Sequence, residues 1–151
     1  MKAIEEPALA ALLIGKLSRA SELNVKFVLR DNVHFSKTAF PLSGDVLVTI
    51  VGNLIDNALE AMNTEACSGS KELVFGIYTK QGELLITVND TGAGIADDCI
   101  DRIFDKGFST KGDNRGTGLY QVKSMIEGLG GTITVESEVG VGSAFTVFIK
   151  K

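Results

Sequence analysis

Leucines at positions 9, 12, 13 and 17, continued by Ala20 and Leu23, recur at helical spacing with Lys16, Arg19 and Glu22 between them. That rhythm predicts one amphipathic helix over residues 7–23. Residues 25–29 alternate as a short strand, and residues 30–40 are polar and turn-rich. Ser43 is placed to cap a second helix running to about residue 62, with Asp45 in the first turn, where the helix dipole favours negative charge. Its core stripe is Leu47, Ile50, Val51, Leu54, Ala58 and Met62. Residues 64–70 form a loop by composition. Residues 73–78 and 83–89 are β-rich runs joined by Lys80-Gln81-Gly82, a hairpin pattern. A third helix is predicted over residues 117–129, closed by Gly130-Gly131. Strands at 132–137 and 144–150, joined through Gly140 and Gly142, complete the order. Hairpin-linked strands with helices between the pairs imply an α+β fold, a two-layer α/β sandwich with a mixed sheet and its helices on one face. Residues 90–116, with five glycines, several charges and a short helical pattern near 96–103, are too long for an ordinary connection. Long loops beside such a sheet are where function concentrates.

Composition narrows the class. The chain has 151 residues, 44% hydrophobic and 23% charged, which fits one ordered domain and excludes a disordered or collagen-like chain. Lys plus Arg is 15 against 19 for Asp plus Glu, a net charge of −4, which argues against a nucleic-acid binder working through phosphate neutralisation. Cys67 and Cys99 lack CxxC spacing and a flanking His, so neither a zinc site nor a disulfide framework is supported and a reducing compartment is the default. The longest apolar run, residues 8–14, is far short of the roughly 20 needed to cross a bilayer. No signal peptide or membrane contact is expected of it. Met1 followed at once by an amphipathic helix reads as an artificial boundary.

Three segments carry candidate chemistry. In the second helix, Asn53, Asn57 and Glu60 fall at i, i+4 and i+7, on one face. Amide oxygens are hard, neutral ligands suited to a magnesium ion that keeps most of its water and shares phosphate oxygens. Taken alone, the same face equally suits a helix meeting solvent. Asp90-Thr91-Gly92-Ala93-Gly94 directly follows a strand, so the Asp90 carboxylate stands at a strand end, able to accept from an exocyclic amine. Gly92 and Gly94 allow close approach of a flat ring or positive φ, although Asp and Gly also make plain turns. Arg115-Gly116-Thr117-Gly118-Leu119 opens the third helix, whose first N–H groups have no internal partner and form an anion site. Lys106, Lys111 and Arg115 add positive charge there. A flexible linker plus helix cap has the same composition.

Familiar phosphate loops are excluded. A Rossmann fingerprint needs Gly where Gln121 stands, and no Gly-Lys pair is followed by Ser or Thr. Between the last two segments, Phe104 and Phe108 sit in a polar, glycine-bearing loop with no stripe to join. They read as anchors that pin a mobile loop, or as satellite packing beneath it.

These four blocks, in this order, resemble the ATP-binding catalytic domain of sensor histidine kinases, in the superfamily shared with gyrase, Hsp90 and MutL. Residues 53–57 resemble its N box, 90–94 its first glycine box, 104–108 its F box and 115–119 its second glycine box. The match covers roughly residues 25–151. The wording Asn57-Ala58-Leu59-Glu60-Ala61, Gly107-Phe108-Ser109-Thr110-Lys111 and Arg115-Gly116-Thr117-Gly118-Leu119-Tyr120 is most similar to the citrate and C4-dicarboxylate sensor kinase branch. Residues 1–23, with Leu13-Ile14-Gly15-Lys16-Leu17, resemble the end of that branch's dimerisation and phosphotransfer region, leaving 24–151 as the catalytic domain.

The resemblance implies ATP and Mg2+ as cofactors. Asp90 would read the adenine amine, with Gly92, Gly94 and Ile95 bordering the base and Ser143 supporting that end. Asn57, with Asn53 beside it, would hold magnesium against the phosphates. Residues 105–115 would form the lid. Phe104, Phe108, Thr110, Lys111, Arg115, Gly116, Thr117, Gly118 and Leu119 complete the nucleotide contacts. Glu60 departs from relatives that place a basic residue at this position, so Lys111 or Arg115 would contact phosphate instead.

Hydrolysis needs a group that activates water, whereas phosphoryl transfer mostly needs positioning and charge stabilisation. ATPases of the superfamily carry glutamate where Asn53 stands, and an amide cannot be that base. Transfer to an imidazole is the expected reaction. His34, the chain's one histidine, lies in a polar loop without the acidic helical neighbour of a phosphoacceptor and reads as solvated. The acceptor would belong to a separate dimerisation domain, which hands the phosphoryl group to a response regulator. The expected setting is a cytoplasmic domain of an inner-membrane sensor, monomeric in isolation. The alternative is an anti-sigma-factor-type serine kinase or an ATP-dependent regulatory binding module of the same superfamily.

Overall fold

The computed structural model describes residues 4–31, 33–36, 38–62, 71–92, 94–95, 100, 102–104 and 116–150, with backbone alone for 116–118. The chain runs α1 (Pro7–Glu22), β1 (Lys26–Leu29), α2 (Gly44–Met62), β2 (Glu72–Lys80), β3 (Glu83–Asp90), α3 (Gly116–Gly128), β4 (Gly131–Glu138) and β5 (Gly142–Lys150). Every helix and strand predicted from hydrophobic spacing is present. The short helical pattern near 96–103 lies mostly outside the described residues, and residues 102–104 form a turn.

The five strands form one mixed sheet in the order β1-β2-β3-β5-β4, parallel between β1 and β2 and antiparallel elsewhere. Period-two alternation assigns the faces. Leu84, Ile86, Val88 and Asp90 of β3 are all buried, while the residues between them are half-buried. The register extends this inner face in rows: Leu29, Phe75, Val88, Phe145 and Val135 form one, and Phe27, Leu73, Asp90, Ser143 and Ser137 the next. The first row is apolar throughout. The second ends in three polar side chains, so the core opens into chemistry at one end of the sheet.

The helices lie over this face, α2 against β3 and α3 against α2 and β4. Residues 47, 50, 51, 54, 55, 58, 59 and 62 of α2 are buried, a stripe broad enough to meet the sheet and α1 together. In α1, Leu9, Leu13 and Ala20 are buried against the same core. Pro7 stands in its first turn, where a missing N–H is harmless. Asn24, at φ 59°, ends it in the left-handed conformation that asparagine tolerates, and the Val25 N–H returns to the Ala20 carbonyl at 2.8 Å.

Residues 30–40 carry more of the core than their polarity suggests. Phe35 and Phe40 are fully buried, and isolated bridges pair Ile4 with Phe35 and His34 with Tyr78. His34 itself is exposed, its Nδ1 2.8 Å from Thr79 Oγ1.

Candidate functional site

The polar end of the inner face is built from three directions. β3 delivers Asp90, only 6% exposed, at its last position. Its Oδ1 accepts from the Gly92 N–H at 2.8 Å, an Asx-type turn that bends the chain sharply out of the strand. β5 places Ser143, 7% exposed, directly across from Asp90. β4 brings Ser137 next to Ser143, with 2.9 Å between the hydroxyl oxygens.

The glycines make this close fit possible. A Cβ on Gly92 would press on Ala61 of α2 and on Asp90 Oδ1. Gly94 has φ +80° and its missing Cβ would meet the Glu138 carbonyl oxygen, while Gly142, at φ +145°, would meet that of Asp90. Close approach and positive φ were both expected here. The partner that each missing Cβ faces, however, is protein backbone or a neighbouring side chain, so these glycines shape the floor of the site. Ile95, half-buried, is tied to the same floor through its N–H, which donates to Ser137 Oγ at 2.7 Å. Ser137 is the member of this floor that spacing alone does not reveal, because a serine closing an Ile133, Val135 alternation looks like the frayed end of a strand.

Helix α2 links this floor to the amide ladder. Ala61 touches Gly92, and the Thr91 hydroxyl lies 3.9 Å from the Met62 sulfur. Asn57 and Asn53 are one and two turns back from Ala61 on the same face, about 6 and 12 Å along the axis. Both are half-buried. The Asn53 Nδ2 donates to the Thr49 carbonyl at 2.8 Å, which fixes the amide plane and turns Oδ1 away from the helix backbone. Asp90 and Ser143 at the sheet end thus lie beside the end of the helix that carries Asn57 and Asn53, joined to it where Gly92 meets Ala61.

Residues 43–151 match the family of histidine kinase-, DNA gyrase B- and HSP90-like ATPases. The chain belongs to this ATPase family. It is 44% identical over 151 residues to the sensor histidine kinase DcuS of Escherichia coli K12, covering 97% of this chain and 26% of that protein. It is 39% identical over 148 residues to the sensor protein CitS of Bacillus subtilis, covering 98% of this chain and 27% of that one. The chain therefore spans about a quarter of the length of these relatives. Among solved structures, the nucleotide-free catalytic domain of the histidine kinase ThkA superposes with a TM-score of 0.73 at 22% identity, over 95% of this chain and 90% of that one. Full-length ShkA in complex with AMPPNP gives 0.72 at 26% identity, over 95% and 29%. The fold is that of histidine kinase catalytic domains.

The remaining positions of this ATPase-family chain divide plainly. Phe104 meets Phe145 of the core edge to face, with centroids 6.3 Å apart at 89°, and Lys123 Nζ of α3 stands 5.3 Å from its ring centre. It packs against the sheet and α3, as one of the two readings open for it has it. Gly116, Thr117 and Gly118 form the first turn of α3, and Leu119 packs partly against the core. Phe108, Thr110, Lys111 and Arg115 lie outside the described residues, as does the 105–115 stretch assigned to a lid. Glu60 turns off the amide face toward α1, where it lines a cleft of about 270 Å³ with Arg19, Leu23, Asp56 and Leu59. No cluster of His, Cys, Asp and Glu able to hold a metal exists among the described residues.

Proposed function

We propose that this domain binds Mg-ATP along the Asp90-to-Asn53 path and transfers the γ-phosphoryl group to a histidine on a separate dimerisation and phosphotransfer domain. That histidine in turn supplies a response regulator. The observation that carries the reading is the single line joining a buried strand-end carboxylate, through the Gly92–Ala61 contact, to two amides on consecutive turns of α2.

Asp90 accepts from the adenine amine. Burial strengthens that contact because little water competes for it. Asn57 and Asn53 offer oxygens to the cation, which supplies neutralisation of phosphate charge. The first turn of α3 points free backbone N–H groups at the phosphates. Gly116 and Gly118 keep that turn open, and Lys111 and Arg115 add charge from the preceding segment. Asn53 is already a donor to Thr49 and has no basic lone pair on nitrogen, so it cannot activate water. ATP is therefore held intact until an imidazole arrives. His34, pinned by Thr79 at the sheet edge, is not that imidazole. Residues 1–23 connect the domain to the phosphotransfer helices, and the domain works on the cytoplasmic side of a membrane sensor.

The test is calorimetric titration of ATP, with and without Mg2+, into the chain and into Asp90→Asn. Wild-type binding should need Mg2+ for full affinity. The variant should lose about 10- to 100-fold, the range for a hydrogen bond to a buried charged group. Unchanged affinity in Asp90→Asn would remove the proposed pocket.

A further inference from the structure

We propose that Ser137 sets the base selectivity of this site by fixing the direction of the Ser143 hydroxyl. The inference rests on the ATP reading above and goes beyond it, because Ser137 would act on the base only through Ser143.

Three groups surround Ser137 Oγ: the Ile95 N–H at 2.7 Å, the Gly142 carbonyl oxygen at 3.0 Å and Ser143 Oγ at 2.9 Å. A hydroxyl has one proton and two lone pairs, an amide N–H can only donate and a carbonyl can only accept. The Ser137 proton therefore goes to Gly142, and one lone pair receives Ile95. The second lone pair is all that remains for Ser143, so the Ser143 O–H donates to Ser137. With that proton committed, Ser143 Oγ can meet any third group only as an acceptor.

Ser143 faces Asp90 across the β3–β5 register, and both side chains lie on the buried inner face. Directly opposed Cβ atoms stand about 4.5–5.5 Å apart, a gap that one ligand nitrogen can bridge. An ionised carboxylate is also an acceptor without a proton, consistent with its Oδ1 taking the Gly92 N–H. Among the described residues, these two side chains thus present two acceptors to the end of the site. A primary amine carries two hydrogens and satisfies both. A 6-oxo base brings a lone pair against them, and buried polar groups left unmatched are what give strong discrimination between such analogues. Removing the Ser137 hydroxyl frees the Ser143 proton to turn and donate to an oxo group. Ser137 is accordingly a positioning residue for base recognition.

The experiment measures dissociation constants of ATP and inosine triphosphate for this chain and its variants. Wild type should prefer ATP. Ser137→Ala should reduce the ATP-to-inosine preference about fivefold to tenfold, and Ser137→Thr, which restores a hydroxyl, should keep it. Ser143→Ala should reduce the preference similarly, and adding Ser137→Ala to it should change the preference no further. A purely structural role for Ser137 would weaken both nucleotides alike, and an unchanged preference in Ser137→Ala overturns the proposal. Should that variant not fold, an unchanged preference in Ser143→Ala overturns it equally. A wild-type chain that binds neither nucleotide overturns the ATP reading and this inference together. Retained ATP binding with constant preference overturns this inference alone.

Discussion

A methyl group at position 142 would stand against the Asp90 carbonyl oxygen on a backbone at φ +145°. Gly142→Ala is therefore expected to cost about 1–3 kcal/mol in urea denaturation through strain alone. It should also weaken ATP binding, because relief of the clash moves the strand end that carries Asp90. Individual residues of this site were unevenly legible. Asp90, Asn53 and Asn57 are singled out by type and spacing, yet each has a bland reading alone, and only the order of the four blocks ties them to one family. Ser137 does not, because its importance lies in the direction of a proton, and direction exists only once β4, β5 and the segment after β3 are in register. Phe35 and Phe40 were hidden for a related reason. Each is a lone anchor in a polar stretch, and periodicity reports stripes.

Among the elements, α1 separates burial from propensity most cleanly. Leu13 is fully buried between α1 and the core, so Leu13→Ala should destabilise the domain by about 2–5 kcal/mol. Gly15, two residues on, is exposed mid-helix, and a Cβ there meets nothing within 4 Å. Gly15→Ala should stabilise by about 0.5–1 kcal/mol by restoring helix propensity. Thermal melts of the two variants should move in opposite directions. A loss on Gly15→Ala would mean that the exposed face is held close to something in solution. The Lys16–Asp56 ion pair joining α1 to α2, at 2.5 Å, has a half-exposed carboxylate, and exposed pairs contribute little. The apolar stripe, not this pair, attaches the helix. Helices and strands were readable because each buries one face and repeats it. The 90–116 stretch was readable only as a place where function concentrates, since its glycines and charges set no period.

For the whole molecule, ligand binding should appear as stability. Mg-ATP at about 100 times its dissociation constant contributes about 2.7 kcal/mol, so the melting temperature of the chain should rise by about 5–10 °C. A guanine nucleotide at the same concentration should give a smaller shift. In phosphotransfer, radiolabelled ATP should mark a histidine on a separately supplied phosphotransfer domain of the DcuS or CitS kind and leave this chain unlabelled. Label on His34 instead would contradict its placement against Thr79. The sheet class and the helices on one face were legible because hairpin-linked strands with helices between them admit few arrangements. The strand order was not, since nothing local states that β5 enters between β3 and β4.

β5 comes after every other strand in the chain yet occupies an interior place, flanked on both sides. A nascent polypeptide halted before residue 142 has the aspartate but lacks the serine opposite it and the strand that joins β4 to the rest. During synthesis, nucleotide competence should arrive abruptly once β5 is complete, so a product cut short of that strand would be inert and leave cellular ATP alone.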